Sequence, residues 1–123
     1  MLRVVGIQKS DHPQREFVLL QNQGSMRVGL KGHVLISDQA LQSGDLWNAA
    51  YAFRDEVMLP PGQFVLLLSG VGENHWGKTK DGLPVYFAFM NRSHIVWSEE
   101  SGPIHVLSVQ HTYHERTAHL LIR

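Results

Sequence analysis

The stretch Glu16-Phe17-Val18-Leu19-Leu20-Gln21-Asn22 decides which fold the chain can adopt. Four consecutive residues in it are apolar, and successive side chains of a β-strand point to opposite faces of the sheet. A strand built from these residues therefore has two apolar faces, which is typical of a strand covered on both sides. We expect it to lie in the centre of a sandwich or beneath a covering loop.

Two further runs repeat this pattern. Phe64-Val65-Leu66-Leu67-Leu68 is apolar at every position, and Val85 to Met90 is a third apolar run. Turn residues separate the short segments at intervals of about ten positions, and helical periodicity is almost absent, which favours an antiparallel sandwich or barrel. We therefore predict an all-β fold, an antiparallel sandwich or barrel, with short loops and at most one short helical turn.

Local signals refine this prediction. Ser37 and Asp38 can cap a helical turn, because a short acceptor side chain satisfies a free N–H group at a helix start. Leu59-Pro60-Pro61-Gly62 predicts a tight turn, since proline presets φ and glycine tolerates a positive φ. Ile95 to Trp97 is predicted to be a short strand, and His119 to Ile122 a last edge strand.

Composition and charge are those of an ordinary globular protein. The chain has 123 residues, of which 43% are hydrophobic and 18% charged, so we expect one domain spanning residues 1–123. Eleven basic and eleven acidic side chains balance, and the scattered basic ones give no clear nucleic-acid footprint. Zero net charge also favours self-association near neutral pH. The absence of cysteine excludes disulfides, thiol catalysis and thiolate metal sites.

Targeting and membrane signals are also absent from the sequence. The apolar run from Met1 to Ile7 is too short for a signal peptide, and no stretch approaches the ~20 apolar residues of a membrane-spanning helix. We therefore expect a cytoplasmic protein, unless the chain is a fragment of a secreted one.

A set of residues occurs in an order that is typical of a known family. The set is Glu16, Phe17, Val18, Leu20, Asn22, Gly24, Val28, Leu30, Gly32, Leu35, Asp38, Leu59, Pro61, Gly62, Val65, Leu67 and Gly70. This order resembles the lamin-tail domain, an immunoglobulin-like β-sandwich found in nuclear lamins and many bacterial proteins. The resemblance covers about residues 3–110 and leaves 111–123 as a terminal segment or edge strand. The chain departs from the family at His33, where a tryptophan is usual.

The resemblance implies a non-catalytic interaction module, and several of the shared residues have a structural interpretation. Asn22 can bond the turn backbone through its amide, and Glu16 can accept from backbone N–H groups or pair with Arg27. We predict structural roles for Glu16, Asn22, Gly24, Gly32, Asp38, Pro61 and Gly62.

The histidine-rich end of the chain is the cluster with ligand-like composition. In a helix, His111 and His114 share a face and can hold zinc, with His119 as a third ligand and Glu115 as a base. In a strand, the odd spacing places the pair on opposite faces and the site is lost. The alternative is a solvated terminal segment without metal.

Trp76 is the aromatic residue best suited to recognition. It lies in the polar segment Asn74-His75-Trp76-Gly77-Lys78, which we predict to be a loop. If it is exposed, it anchors a ligand together with His75 and Lys78; if it folds back, it caps the end of the sandwich. Trp97 is predicted to be a core residue.

Three functions remain open. The first is a non-enzymatic module, without a cofactor or catalytic residues, that recognises a protein partner or another copy of itself through loops and an edge strand. The second is a metal binder or small metal-dependent enzyme that uses the C-terminal histidines. The third is a carbohydrate-binding sandwich that uses Trp76.

Overall fold

A computed structural model describes residues 1–46 and 49–109. The elements in these ranges are ten strands, one α-helix and one 3₁₀ helix. In chain order they are β1 (Leu2–Gln8), β2 (Phe17–Asn22), β3 (Val28–Gly29), β4 (His33–Ser37), α1 (Asp38–Ser43), β5 (Ala50–Ala52), β6 (Met58–Leu59), β7 (Phe64–Leu68), β8 (His75–Lys78), β9 (Pro84–Phe89), the 3₁₀ helix (Glu99–Ser101) and β10 (Ile104–Ser108). None of the helices in the described ranges is long and apolar enough to span a membrane.

The strands pair into three sheets. A five-stranded sheet has the order β1-β2-β7-β9-β8, a three-stranded sheet has the order β10-β4-β5, and β3 pairs with β6. This arrangement confirms the predicted all-β, sandwich-like fold. One feature differs from the prediction: β7 and β9 run parallel, while the other described pairs are antiparallel. Parallel neighbours need a crossover connection, and here the crossover carries β8 to the edge of the sheet.

The core is built from alternate residues of the central strands. Val18 and Leu20 of β2 lie opposite Leu67 and Val65 of β7, and all four are completely buried. They belong to one cluster with residues of the three-stranded sheet, such as Leu35. Trp97 is the largest fully buried residue of this cluster.

Turn and cap chemistry explain three element boundaries. The Ser37 side chain accepts a hydrogen bond of 3.1 Å from the Ala40 N–H group and so caps the start of α1. Gly44 ends the helix with a φ of 78°, a left-handed value that favours glycine. At the turn before β7, Gly62 has a φ of 83°, and the Gln63 N–H group donates to the Pro60 carbonyl oxygen.

Three local predictions need correction or fall outside the described ranges. Ile95 to Trp97 is not a strand, because the Val96 and Trp97 N–H groups bond a side chain instead of a neighbouring strand. Trp76 lies in a strand, β8, and not in a loop. The predicted strand from His119 to Ile122 lies outside the residues that the structure describes.

Candidate functional site

Trp76 projects from an edge strand. In β8, Trp76 pairs with Tyr86 of β9, and its side chain is 45% exposed. The two rings meet edge to face, with their centroids 5.2 Å apart. His75 and Lys78 of the same strand are also exposed. Lys78 points to the same side of the sheet as Trp76, while His75 points to the opposite side.

A polar network holds the residue that supports Trp76. The buried Tyr86 donates a hydrogen bond from its hydroxyl to Asp55 Oδ2. Asn74 donates to the same oxygen over 2.8 Å, and its own Oδ1 accepts from the Phe89 N–H group over 2.8 Å. The network joins the chain after β5 to the end of β9, so it fixes the platform beneath the indole ring.

Burial and charge keep the tyrosines of this region protonated. The pKa of Tyr86 is raised well above its ordinary value, first because the phenol is buried and then because it donates to Asp55. The pKa of Tyr51 is also raised, by burial and by the negative charge of Asp55. A protonated phenol is a hydrogen-bond donor, so both shifts are consistent with the network around Asp55.

The other side of β8 is anchored by aromatic packing. The His75 imidazole stacks on Phe87, with centroids 5.1 Å apart and planes 10° apart, and more loosely on Phe89. Gly77 has the Phe87 ring against it, because a Cβ at this position would lie 2.5 Å from a ring carbon. The strand is therefore held to β9 from both faces, which gives Trp76 a fixed position.

Glu16 forms a buried polar node just before the start of β2. Its carboxyl group is fully buried and accepts hydrogen bonds from Val96 N over 2.7 Å, from Trp97 N over 3.1 Å and from the Ser69 hydroxyl. Of the two partners considered from the sequence, backbone N–H groups are the ones observed, and no ion pair joins Glu16 to Arg27 in the described part of the chain. The node is structural, since it ties three segments together.

Asn22 organises the other end of β2. Its Nδ2 donates to the carbonyl oxygens of Met26 and Leu59, each over 2.9 Å, and its Oδ1 accepts from the Gly24 N–H group over 3.0 Å. The amino group of Met1 also donates to this oxygen. The fully buried amide thereby fixes the turn after β2 to the end of β6.

Most of the other residues predicted to have structural roles occupy turns and element ends. Gly32 has a φ of 95°, and Pro61 precedes the positive φ of Gly62 in the turn before β7. Asp38 begins α1 and pairs with His105 of β10, with 2.9 Å between Oδ1 and Nε2. These positions stabilise the fold and do not form one site with β8.

The predicted zinc ligands cannot be placed. His111, His114 and His119 all lie outside the described residues. Within residues 1–46 and 49–109, no group of three or more His, Cys, Asp or Glu side chains is arranged to hold a metal ion.

An open cleft is a further feature that the sequence did not indicate. It has a volume of about 550 Å³ and lies between the segments 9–16 and 95–99, with Ile95 and Trp97 among its lining residues. Basic and acidic side chains both line it, and Lys9 pairs with Glu99 over 3.4 Å. Its walls come from distant parts of the chain, so no local motif could have indicated it.

Comparisons of the chain with protein-family models, with curated proteins and with solved structures found no match. The lamin-tail resemblance therefore stays a prediction from the order of residues in the sequence.

Proposed function

We propose that this chain is a non-enzymatic binding module that recognises a protein partner through β8 and the loop that precedes it. The observation that carries the proposal is the 45% exposure of Trp76 on a strand at the edge of the sheet. Tryptophan is enriched among the residues that dominate protein interfaces, because its large ring buries much area with few rotatable bonds.

The edge position supplies a second means of recognition. Within the described residues, β8 pairs only with β9, so the backbone on its other side has no partner strand. An extended peptide can add to such an edge through main-chain hydrogen bonds. The strand has only four residues and contains Gly77 and Lys78, features that disfavour indiscriminate edge pairing. Specific binding therefore depends on Trp76 as the anchor.

Rigidity of the anchor supports the same function. Tyr86 beneath Trp76 is held by Asp55, and His75 beside it is stacked on Phe87. Fewer side-chain rotamers are then lost when a partner binds, which favours affinity. The lamin-tail resemblance agrees with this role, since it implies an interaction module.

A displayed library of random ten-residue peptides tests the proposal. Clones selected on the unmodified protein are expected to bind Trp76→Ser about tenfold more weakly or worse. Met26→Ser is the matched control, because Met26 is 76% exposed in the turn between β2 and β3, and it should leave binding unchanged. Circular dichroism and thermal unfolding check that both variants are folded.

Two results would contradict the proposal. Selected clones that bind Trp76→Ser as well as the unmodified protein would show that β8 is not the recognition edge. Binding on a glycan array that is lost in Trp76→Ser, without peptide binding, would favour the carbohydrate-binding alternative, for which the exposed indole ring is the supporting observation.

A further inference from the structure

The five-stranded sheet carries a second apolar layer on the side away from the core. Because side chains alternate along a strand, the buried core residues of β2 and β7 are interleaved with residues that point the other way. Six of these outward residues form two rows across three strands, and together we call them the outer face. The rows are Leu19-Leu66-Phe87 and Phe17-Leu68-Phe89.

The outer face is separate from the core and partly open. None of its six residues belongs to the core cluster or to the hydrophobic residues that pack against that cluster. Each of the six is intermediate in exposure, although its neighbours in the sheet are also apolar. Contiguous apolar patches on protein surfaces are among the places where partners bind.

The strands add no negative charge to the outward side of the sheet, and the exposed Glu73 lies just before β8. The five strands of the sheet contain no aspartate or glutamate. Arg3 shares the outward side with Gln21, its partner in the register, and His75 stacks on Phe87. In the described ranges, Arg3 makes no ion pair. A partner with carboxylates beside its apolar contact residues would therefore meet complementary charge.

The size of the outer face argues against a stable dimer of this chain through that face. Three strands at about 4.8 Å spacing and about five residues at 3.3 Å each give a face of roughly 15 by 17 Å, or about 250 Å². Two such faces bury roughly 500 Å² together, well below the ~1,200 Å² of a stable interface. An α-helix of about eleven residues is ~17 Å long and ~10 Å wide, so one helix covers the face. The helix buries a similarly small area, which is typical of a weak, transient contact.

We propose that the outer face binds one amphipathic helix of a partner protein, with acidic residues flanking the apolar stripe of that helix. The helix lies across β2, β7 and β9, with Leu66 of the middle strand at the centre of the contact and Leu19 beside it. This site goes beyond the recognition edge at β8, because Trp76 pairs with the buried Tyr86 and therefore points to the opposite side of the sheet.

Two displayed peptide libraries test this inference on the full chain. One has 16-residue peptides with apolar residues at helical spacing, and the other has peptides in which apolar and polar residues alternate. We expect the helical library to yield clones enriched in Asp and Glu. Their affinity should fall about tenfold or more in Leu66→Lys and in Leu19→Lys. Met26→Lys and Trp76→Ser should leave it unchanged.

Other outcomes overturn the inference. Failure of the helical library, or helical clones that bind Leu66→Lys and Leu19→Lys normally, would exclude a helix on the outer face. A wild-type dimer in sedimentation that becomes monomeric in Leu66→Lys would identify a second copy as the occupant. Binding to phosphatidylcholine vesicles that is lost in the same variant would identify a lipid surface.

The libraries also separate this inference from the proposed function. Clones of the alternating library whose binding is lost in Trp76→Ser and kept in Leu66→Lys support the β8 edge. The same result for the helical clones overturns the outer face. Thermal unfolding shows whether the two lysine variants are folded. If one of them is misfolded, the other still tests the inference.

Discussion

The two sides of the five-stranded sheet differ although the same residue types build both. Leu20 and Leu67 point to the inner side and are completely buried, while their chain neighbours Leu19 and Leu66 point to the outer face and stay partly exposed. The composition of a strand thus says little about which leucine stabilises the fold. An odd or even position along the strand determines the side of the sheet to which a leucine points, because side chains alternate with a period of two.

Buried polar groups add a second difference between the sides. The inner layer is bounded by Glu16 at one end of β2 and by Asn22 at the other, both fully buried and both hydrogen-bonded to backbone. Such satisfied groups define one arrangement of the segments around them. The outer face has no comparable group, which leaves it available for a partner.

The largest expected change in the free energy of unfolding comes from truncating one leucine on each side of the sheet. Leu20→Ala should lower the free energy of unfolding by about 3 kcal/mol, since it leaves a cavity in a closed core. Leu66→Ala should lower it by about 1 kcal/mol or less, because solvent or side-chain movement can fill the space. Urea unfolding at constant m-value measures both. Equal losses of free energy in the two variants would mean that the outer face is part of the core and that the two sides of the sheet do not differ.

The next effect concerns the polar boundary of the inner layer. Glu16→Ala should cost about 2–3 kcal/mol, because it leaves the Val96 and Trp97 N–H groups buried without an acceptor. Glu16→Gln is the matched control, since it keeps one oxygen and the side-chain length, and it should cost less. Chemical denaturation compares the two. A loss below about 0.5 kcal/mol in Glu16→Ala would show that water replaces the carboxyl group.

A smaller effect is expected where the inner side opens toward β8. Tyr86→Phe removes the hydrogen bond to Asp55 and should cost about 1.5 kcal/mol near pH 7. The pKa of Tyr86 is higher in the folded than in the unfolded chain, so the folded state keeps its proton longer as the pH rises. The contribution of Tyr86 to the free energy of unfolding should therefore be fully present below about pH 10 and should decrease as the pH rises above it.

The pH profile of the variant sharpens this prediction. The free energy of unfolding of Tyr86→Phe should fall less steeply above pH 10 than that of the unmodified protein, because one of the two phenols with a raised pKa has been removed. Tyr51 retains its own raised pKa, so part of the slope should remain. Unfolding free energies measured from pH 8 to pH 11 test this, and identical slopes would contradict the assignment.

The smallest effect is expected at the exposed edge itself. Trp76→Ser should change the free energy of unfolding by less than about 1 kcal/mol, because the ring is 45% exposed and its main contact is one edge-to-face pair. Thermal unfolding measures the change. A larger loss would assign Trp76 to the closed inner layer and weaken its role as a free anchor.

Much of the fold could be predicted from local patterns, and the site only in part. The apolar runs of β2 and β7, the cap at Ser37 and the turn at Gly62 are all encoded within a few residues. The strand β8 was missed because His75-Trp76-Gly77-Lys78 has no alternating apolar pattern. It becomes a strand through its register with β9 and the Phe87 ring against Gly77.

The sequence by itself determined that this protein is built from β-strands and which runs are central, because period-two alternation and turn chemistry are local properties of the chain. Only the tertiary structure decided which side of each central strand is closed, what Glu16 bonds and where Trp76 points. These outcomes depend on contacts between distant segments, such as Glu16 with Val96 and Asp55 with Tyr86. No local pattern specifies such contacts, because the free energy of forming them belongs to the assembled sheets.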